Sequence, residues 1–173
     1  MYFDEHKKAL FVIGMDQELQ PLLQQATNIN PENMLTLQIY GPEISKPYGD
    51  LMRAIILAVY QENVEEIFVV GTTEDQRNVT DMHHLYEQEE MKEKIKTLDF
   101  LFKHCAPEFQ GVTFNEWLEG SKSVVEGIQK SVKFLREHPL MPSDFRVHGL
   151  LMDKGDGELS EIQVSSLALR KEV

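Results

Sequence analysis

Three short apolar runs, separated by segments of helical periodicity, set the strictest limit on what this chain can become. Ala9-Leu10-Phe11-Val12-Ile13-Gly14 is the first, an uninterrupted apolar run ending in glycine. Such a run reads as a strand buried on both faces, as in a parallel sheet, rather than one wetted on alternate residues. Met34-Leu35-Thr36-Leu37-Gln38-Ile39 is the second, entered through the turn signal Asn30-Pro31-Glu32-Asn33. Glu66-Ile67-Phe68-Val69-Val70, running into Gly71-Thr72-Thr73, is the third. Between them, Asp16 to Asn28 carries Leu19, Leu22 and Leu23 at helical spacing, with Pro21 early enough for a first turn. Asp50 to Glu62 carries Met52, Ile55, Ile56 and Val59, one face of a second helix.

Strands alternating with helices imply right-handed crossovers, hence a three-layer α/β fold with a mostly parallel central sheet flanked by helices. In such sheets ligands sit beyond the carboxyl ends of the strands. Those ends are residues 14–18, 39–41 and 71–76, so a site is expected there.

The remainder is predicted as follows. Asp81 to Cys105 reads as one long helical stretch with Met91, Ile95, Leu98 and Phe102 on a stripe. Phe109 to Glu119 reads as irregular and holds the sole tryptophan, Trp117. A helix from about Ser121 to Glu137 carries Val124, Ile128, Ser131 and Leu135, with Pro139 beyond its end. Residues 145–152 then read as a strand, 153–157 as a glycine turn and 158–162 as a short return strand. With no repeat, low-complexity tract or linker, residues 1–173 are expected to form one domain.

Composition narrows the partners. A formal net charge of −12 argues against nucleic acid, whose phosphates need clustered Lys and Arg, and against an anionic membrane surface. No apolar run approaches the roughly 20 residues of a membrane helix, so no membrane insertion is expected. A single cysteine, Cys105, rules out an intrachain disulfide and any multi-cysteine zinc site. The start lacks the basic-then-apolar order of a secretory signal, so the cytoplasm is the expected location.

The order of elements, from about Ala9 to Ile162, resembles the β-class carbonic anhydrases, particularly their short members. Phe11-Val12-Ile13-Gly14-Met15-Asp16-Gln17-Glu18-Leu19 stands where that family has an apolar strand followed by Cys-Met-Asp-Ser-Arg-Leu. Arg53-Ala54 through Tyr60 is similar to its helix beginning Arg-Ser. Residues 64–76 match the segment ending Gly-His-Thr-Asp-Cys-Gly, and residues 123–128, 147–153 and 157–159 match its C-terminal third. The resemblance implies assembly into at least a homodimer, although the family's long N-terminal arm is nearly absent.

The departures bear on chemistry. The resemblance places the family's zinc ligands at Gly14, Thr72 and Asp75. Glycine has no donor, a threonine hydroxyl is a poor zinc ligand, and one carboxylate cannot hold the ion alone. No metal ligand and no cofactor are therefore expected. Asp16 is the retained member of the family's Asp-Arg dyad, its arginine replaced by Glu18, so Asp16 is the one candidate catalytic residue. Ile39-Tyr40-Gly41 stands for the Asn-Ala-Gly loop, so Tyr40, Gly41, Gly71, Glu18 and Glu74 are expected around the pocket.

Asp16, Glu18, Glu74 and Asp75 set up to four carboxylates near the strand ends. Two such charges ~4 Å apart repel by roughly 4 kcal/mol at an effective dielectric of ~20. Relief requires a cation, raised pKa values, or pairing with Arg53 or Arg77. Glu18 and Glu74 also suit the N-termini of following helices, where carboxylates are stabilised by the dipole. Three functions remain open: a non-catalytic binding or regulatory homologue, pairing with an unidentified protein or a small cation or anion; an enzyme using Mg²⁺ or Mn²⁺ on the carboxylates; and metal-free hydration of CO₂ with Thr72, Tyr40 or Asp16 orienting water.

His83 and Glu87 have ligand spacing, but adjacent His83 and His84 face apart on a helix and read as surface residues. His148 reads as a packed, hydrogen-bonded histidine, Cys105 as buried and inert, and Trp117 as filling core or subunit-contact space. Lys92-Glu93-Lys94 reads as a solvated helix face.

Overall fold

The computed structural model describes residues 2–41, 43–46, 48–75, 83–104 and 113–165. Its centre is one five-stranded sheet in the order β2-β1-β3-β4-β5. The strands are β1 (Ala9–Gly14), β2 (Met34–Ile39), β3 (Glu66–Thr72), β4 (Arg146–Met152) and β5 (Leu159–Ile162). The first four are parallel and β5 returns antiparallel to β4.

Period-two alternation divides the sheet's apolar residues between two cores. Leu10, Val12, Ile67, Val69 and Val147 face α2 (Asp50–Gln61) and α6 (Val124–Glu137), whose Met52, Ile55, Val59, Ile128, Val132 and Leu135 cover them. Phe11, Ile13, Phe68, Val70, Leu150 and Met152 face α1 (Leu19–Thr27), through Leu19 and Leu23. Covering both faces explains why β3 is buried along its whole length and why its sequence shows no polar alternation. Each fully buried Leu, Ile or Phe contributes roughly 1.5–3 kcal/mol relative to exposure. Gly149 lets α6 lie close over β4, because a Cβ there would stand 2.7 Å from Ile128 Cγ2.

Helix boundaries follow local chemistry. Pro21 occupies the third position of α1, where its missing N–H costs nothing. The α1 helix stops at Asn28 in the left-handed conformation, φ 55°. Ser123 caps α6 by accepting from the Glu126 N–H.

Two expectations need correction. The stretch predicted as one helix is two, α3 (His83–Glu87) and α4 (Glu89–His104), broken at Gln88, whose carbonyl accepts from the Met91 and Lys92 N–H groups. The stretch predicted as irregular contains α5 (Phe114–Glu119), opened by a full capping box between Thr113 and Glu116. The Thr-x-x-Glu signal was present in the sequence and suffices to start a helix. The stripe on α4 joins neither sheet core; Phe102 instead packs on Phe114 and Trp117 of α5. Trp117 is about half exposed rather than core.

Candidate functional site

The sheet order makes the ends of β1, β3 and β4 consecutive neighbours. The segment after each strand therefore contributes to one place. Beyond β1, Asp16 closes a tight turn: its Oδ1 accepts from the Glu18 N–H at 2.9 Å, and its carbonyl accepts from Leu19. Beyond β3, the ladder continues one step as the Thr73 N–H donates to the Met152 carbonyl. Beyond β4, Asp153 organises the turn into β5. Its N–H donates to Glu158, its carbonyl accepts from Gly157, and its carboxylate accepts from the Gly155 N–H. Gly157 adopts φ 76°, which the turn requires and a side chain would resist.

That turn aims Lys154 back across the strand ends. Its Nζ lies 2.7 Å from Asp16 Oδ2, 3.2 Å from Glu18 Oε2 and 3.3 Å from Glu74 Oε2. Only 15% of the Lys154 side chain is exposed, against 30% for Asp16. The hydrogen bond from Lys154 holds the Asp16 carboxyl below the ordinary aspartate value, against the opposing effect of burial. The same bond, with those to Glu18 and Glu74, holds the Lys154 ammonium protonated well above the ordinary lysine range. Three of the four expected carboxylates thus share one cation, but not an anticipated one. Arg53 is exposed on α2, and Arg77 lies outside the described residues.

Thr72 and Asp75 satisfy each other. The Thr72 N–H donates to Asp75 Oδ2 at 2.9 Å, and the Asp75 N–H donates to Thr72 Oγ1 at 3.0 Å. This reciprocal pair has the form of a capping box. Among the described residues nothing lies within 4 Å of where a Cβ on Gly14 would stand. Gly71 is buried within β3. Tyr40 is 79% exposed and Gly41 has φ 74°; among the described residues no hydrogen bond links either to the Lys154 cluster.

These residues do not fit a zinc ion. Gly14 supplies no donor, Thr72 Oγ1 and Asp75 Oδ2 are committed to backbone N–H groups, and Asp16 to Lys154. Among the described residues no group of three or more His, Cys, Asp or Glu side chains is arranged to hold a metal. His84 is exposed, and the side chain of His83 and all of Cys105 lie outside the described residues. His148 stacks on Phe68 with ring centroids 5.2 Å apart and meets Glu161 Oε1 at 3.1 Å, a packed cross-strand residue. No described helix is long and apolar enough to cross a membrane.

Comparison with solved structures defines the class first. β-Carbonic anhydrase isoform I of Trichomonas vaginalis superposes with a TM-score of 0.60 over 96% of this chain and 88% of its own, at 20% identity. Likeness at that identity establishes the fold, which is that of the β-carbonic anhydrases. No family model matches the chain. Curated relatives do. A Bacillus subtilis protein, YbcF, provisionally named carbonic anhydrase-like, is 48% identical over 164 residues, covering 95% of this chain and 91% of its own. YtiB of the same organism, provisionally named a carbonic anhydrase, is 30% identical over 162 residues, covering 90% and 81%. The chain belongs to the β-carbonic anhydrase family.

Proposed function

We propose that this chain is a non-catalytic binding or regulatory homologue in which Lys154 serves as the fixed cation at the strand ends. The observation that carries this is the single ammonium shared by Asp16, Glu18 and Glu74. CO₂ hydration at neutral pH needs a hydroxide, which a zinc ion supplies by lowering the pKa of bound water from 15.7 to roughly 7. The donor set here supports no such ion. A metal-free route needs a base titrating near the working pH. Asp16 is the candidate, and Lys154 pulls its pKa the wrong way.

Three carboxylates around one ammonium leave the locus net negative, which disfavours bicarbonate or any other small anion. A neutral ligand or a protein partner suits it better. We place the protein in the cytoplasm as one domain spanning residues 1–173, assembled in at least two copies.

Stopped-flow CO₂ hydration by purified protein, with chelator and again with added zinc, tests the reading. The expected result is no rate above buffer in either condition. A zinc-dependent rate overturns the loss-of-site argument, and a chelator-resistant rate would assign a metal-free mechanism to Asp16 and Thr72.

A further inference from the structure

The helices between β3 and α6 build an apolar centre of their own. No described residue from 83 to 119 belongs to either core of the sheet. Phe102 of α4 and Phe114 of α5 are buried with ring centroids 5.9 Å apart, and Trp117 stands 5.8 Å from Phe102. The Tyr86 hydroxyl donates to Glu119 Oε1 at 2.7 Å and ties α3 to α5. Among the described residues, no hydrogen bond or ion pair joins this lobe to the sheet or to the helices that cover it.

Both ends of the lobe are fastened by a carboxylate on a main-chain N–H. The chain leaves the sheet for the lobe beyond Asp75, whose Oδ2 accepts from the Thr72 N–H. It returns at Gly120 and Ser121, just ahead of the α6 cap at Ser123. There Glu43 Oε2 accepts from the Ser121 N–H at 2.7 Å, and Glu43 Oε1 from the Ser121 hydroxyl at 3.0 Å. Lys130 of α6 donates to the same hydroxyl oxygen at 3.0 Å. Glu43 is presented by fixed backbone. Its neighbour Ile44 is buried in the α2–α6 core, and the Ile44 N–H donates to Ser131 Oγ at 2.8 Å.

Gly120 makes the second fastening possible. Its φ of 74° and ψ of −155° lie in a region essentially reserved for glycine. A Cβ there would stand 2.9 Å from Glu43 Oε2. Hinges are a few loop or element-terminal positions that absorb a backbone change, and small residues are common among them.

We propose that residues 83–119 form a hinged flap, with Gly120 as the hinge and the Glu43 carboxylate as the latch. Segments that share little apolar contact with the core open at lower free energy than the core itself. Charge-assisted hydrogen bonds then supply the hold that packing does not. The segment carrying the latch also carries Tyr40 and Gly41, and the flap's entry follows Glu74, one of the three partners of Lys154. Releasing the latch thus loosens the surroundings of the strand ends while both cores stay closed.

Hydrogen–deuterium exchange, followed peptide by peptide on the full chain and on Glu43→Ala, tests the flap. Amides of α4 and α5 are expected to exchange roughly tenfold faster in the variant, which loses two hydrogen bonds to a charged group. Those of β1, β3 and β4 are expected to keep the parent's rates. Faster exchange confined to residues 43–46 and 120–123 overturns the hinge, because the flap would then be held elsewhere. Equal acceleration in the strands overturns it as well, because the latch would then belong to the stability of the whole fold. Should Glu43→Ala not fold, Gly120→Ala decides. Its Cβ takes the room of the carboxylate, so the same α4 and α5 peptides are expected to accelerate, and unchanged rates there overturn the flap.

Discussion

Lys154 Nζ lies 2.7 Å from Asp16 Oδ2 although 138 positions separate the two residues in the chain. The contact ties the turn after β4 to the turn after β1 across the end of β3. It therefore holds together three neighbouring strand ends.

Replacing Lys154 by Met should destabilise the fold by about 1–2 kcal/mol at neutral pH, since charged hydrogen bonds are lost and solvent screens part of the effect. The pH dependence has a definite sign. Asp16 titrates lower when folded, so its contribution is complete above the ordinary aspartate value of about 3.9 and fades as pH falls through the folded value. Lys154 titrates higher when folded, so its contribution is complete below about 10.4 and fades as pH rises through the folded value. The difference between parent and variant in urea unfolding should be flat between those limits and shrink outside them. A difference that grew in acid would show that Lys154 matters for another reason.

Installing the family's ligand types is the sharpest check on where the resemblance places a zinc site. Gly14→Cys, Thr72→His and Asp75→Cys, with Glu18→Arg, should bind one zinc per chain, measured by metal analysis after dialysis. Adding Lys154→Met should tighten binding by removing a like charge. Failure of both variants to bind, while folded, would mean these positions do not converge as the resemblance implies.

Thr72→Val removes the hydroxyl that receives the Asp75 N–H, and Asp75→Ala removes the carboxylate that receives the Thr72 N–H. Each should cost about 1 kcal/mol, the ordinary worth of a capping interaction. The double variant should cost less than the sum, because both changes dismantle one reciprocal unit. Additive losses in thermal or urea unfolding would contradict that coupling.

Gly149→Ala places a Cβ 2.7 Å from Ile128 Cγ2 and 3.4 Å from Val132 Cγ2. Overpacking of this kind costs roughly 1–3 kcal/mol. Ile128→Leu in the same chain, which removes the Cγ2 branch that the new Cβ meets, should recover part of the loss in melting temperature. No recovery would place the strain elsewhere.

How much of this was legible in the sequence depends on the range of the interaction. Strands β1 and β3 announced themselves because burial on both faces leaves an unbroken apolar run, and the carboxyl-end location of the acids followed from topology. Short-range devices were legible too, although the Thr113–Glu116 box went unread and α5 with it. Charge arithmetic required a cation among Asp16, Glu18 and Glu74, but not its source. Arg53 and Arg77 were the arginines at hand in the sequence. Lys154 was hidden in a glycine-rich turn, where a lysine ordinarily faces water, and only the neighbouring of β1, β3 and β4 brings it home. The break at Gln88 escaped because no proline or glycine marks it in the sequence.

The position of Gly14 has one more consequence. Among the described residues nothing within 4 Å would oppose a side chain there, so the strand end has room for one. A single codon change from glycine to cysteine would meet no steric barrier among the described residues, whereas any metal arriving afterwards would still have to displace a tethered ammonium that no chelator removes. A thiol at this strand end is therefore sterically cheap, whereas any cation arriving there meets the Lys154 ammonium first.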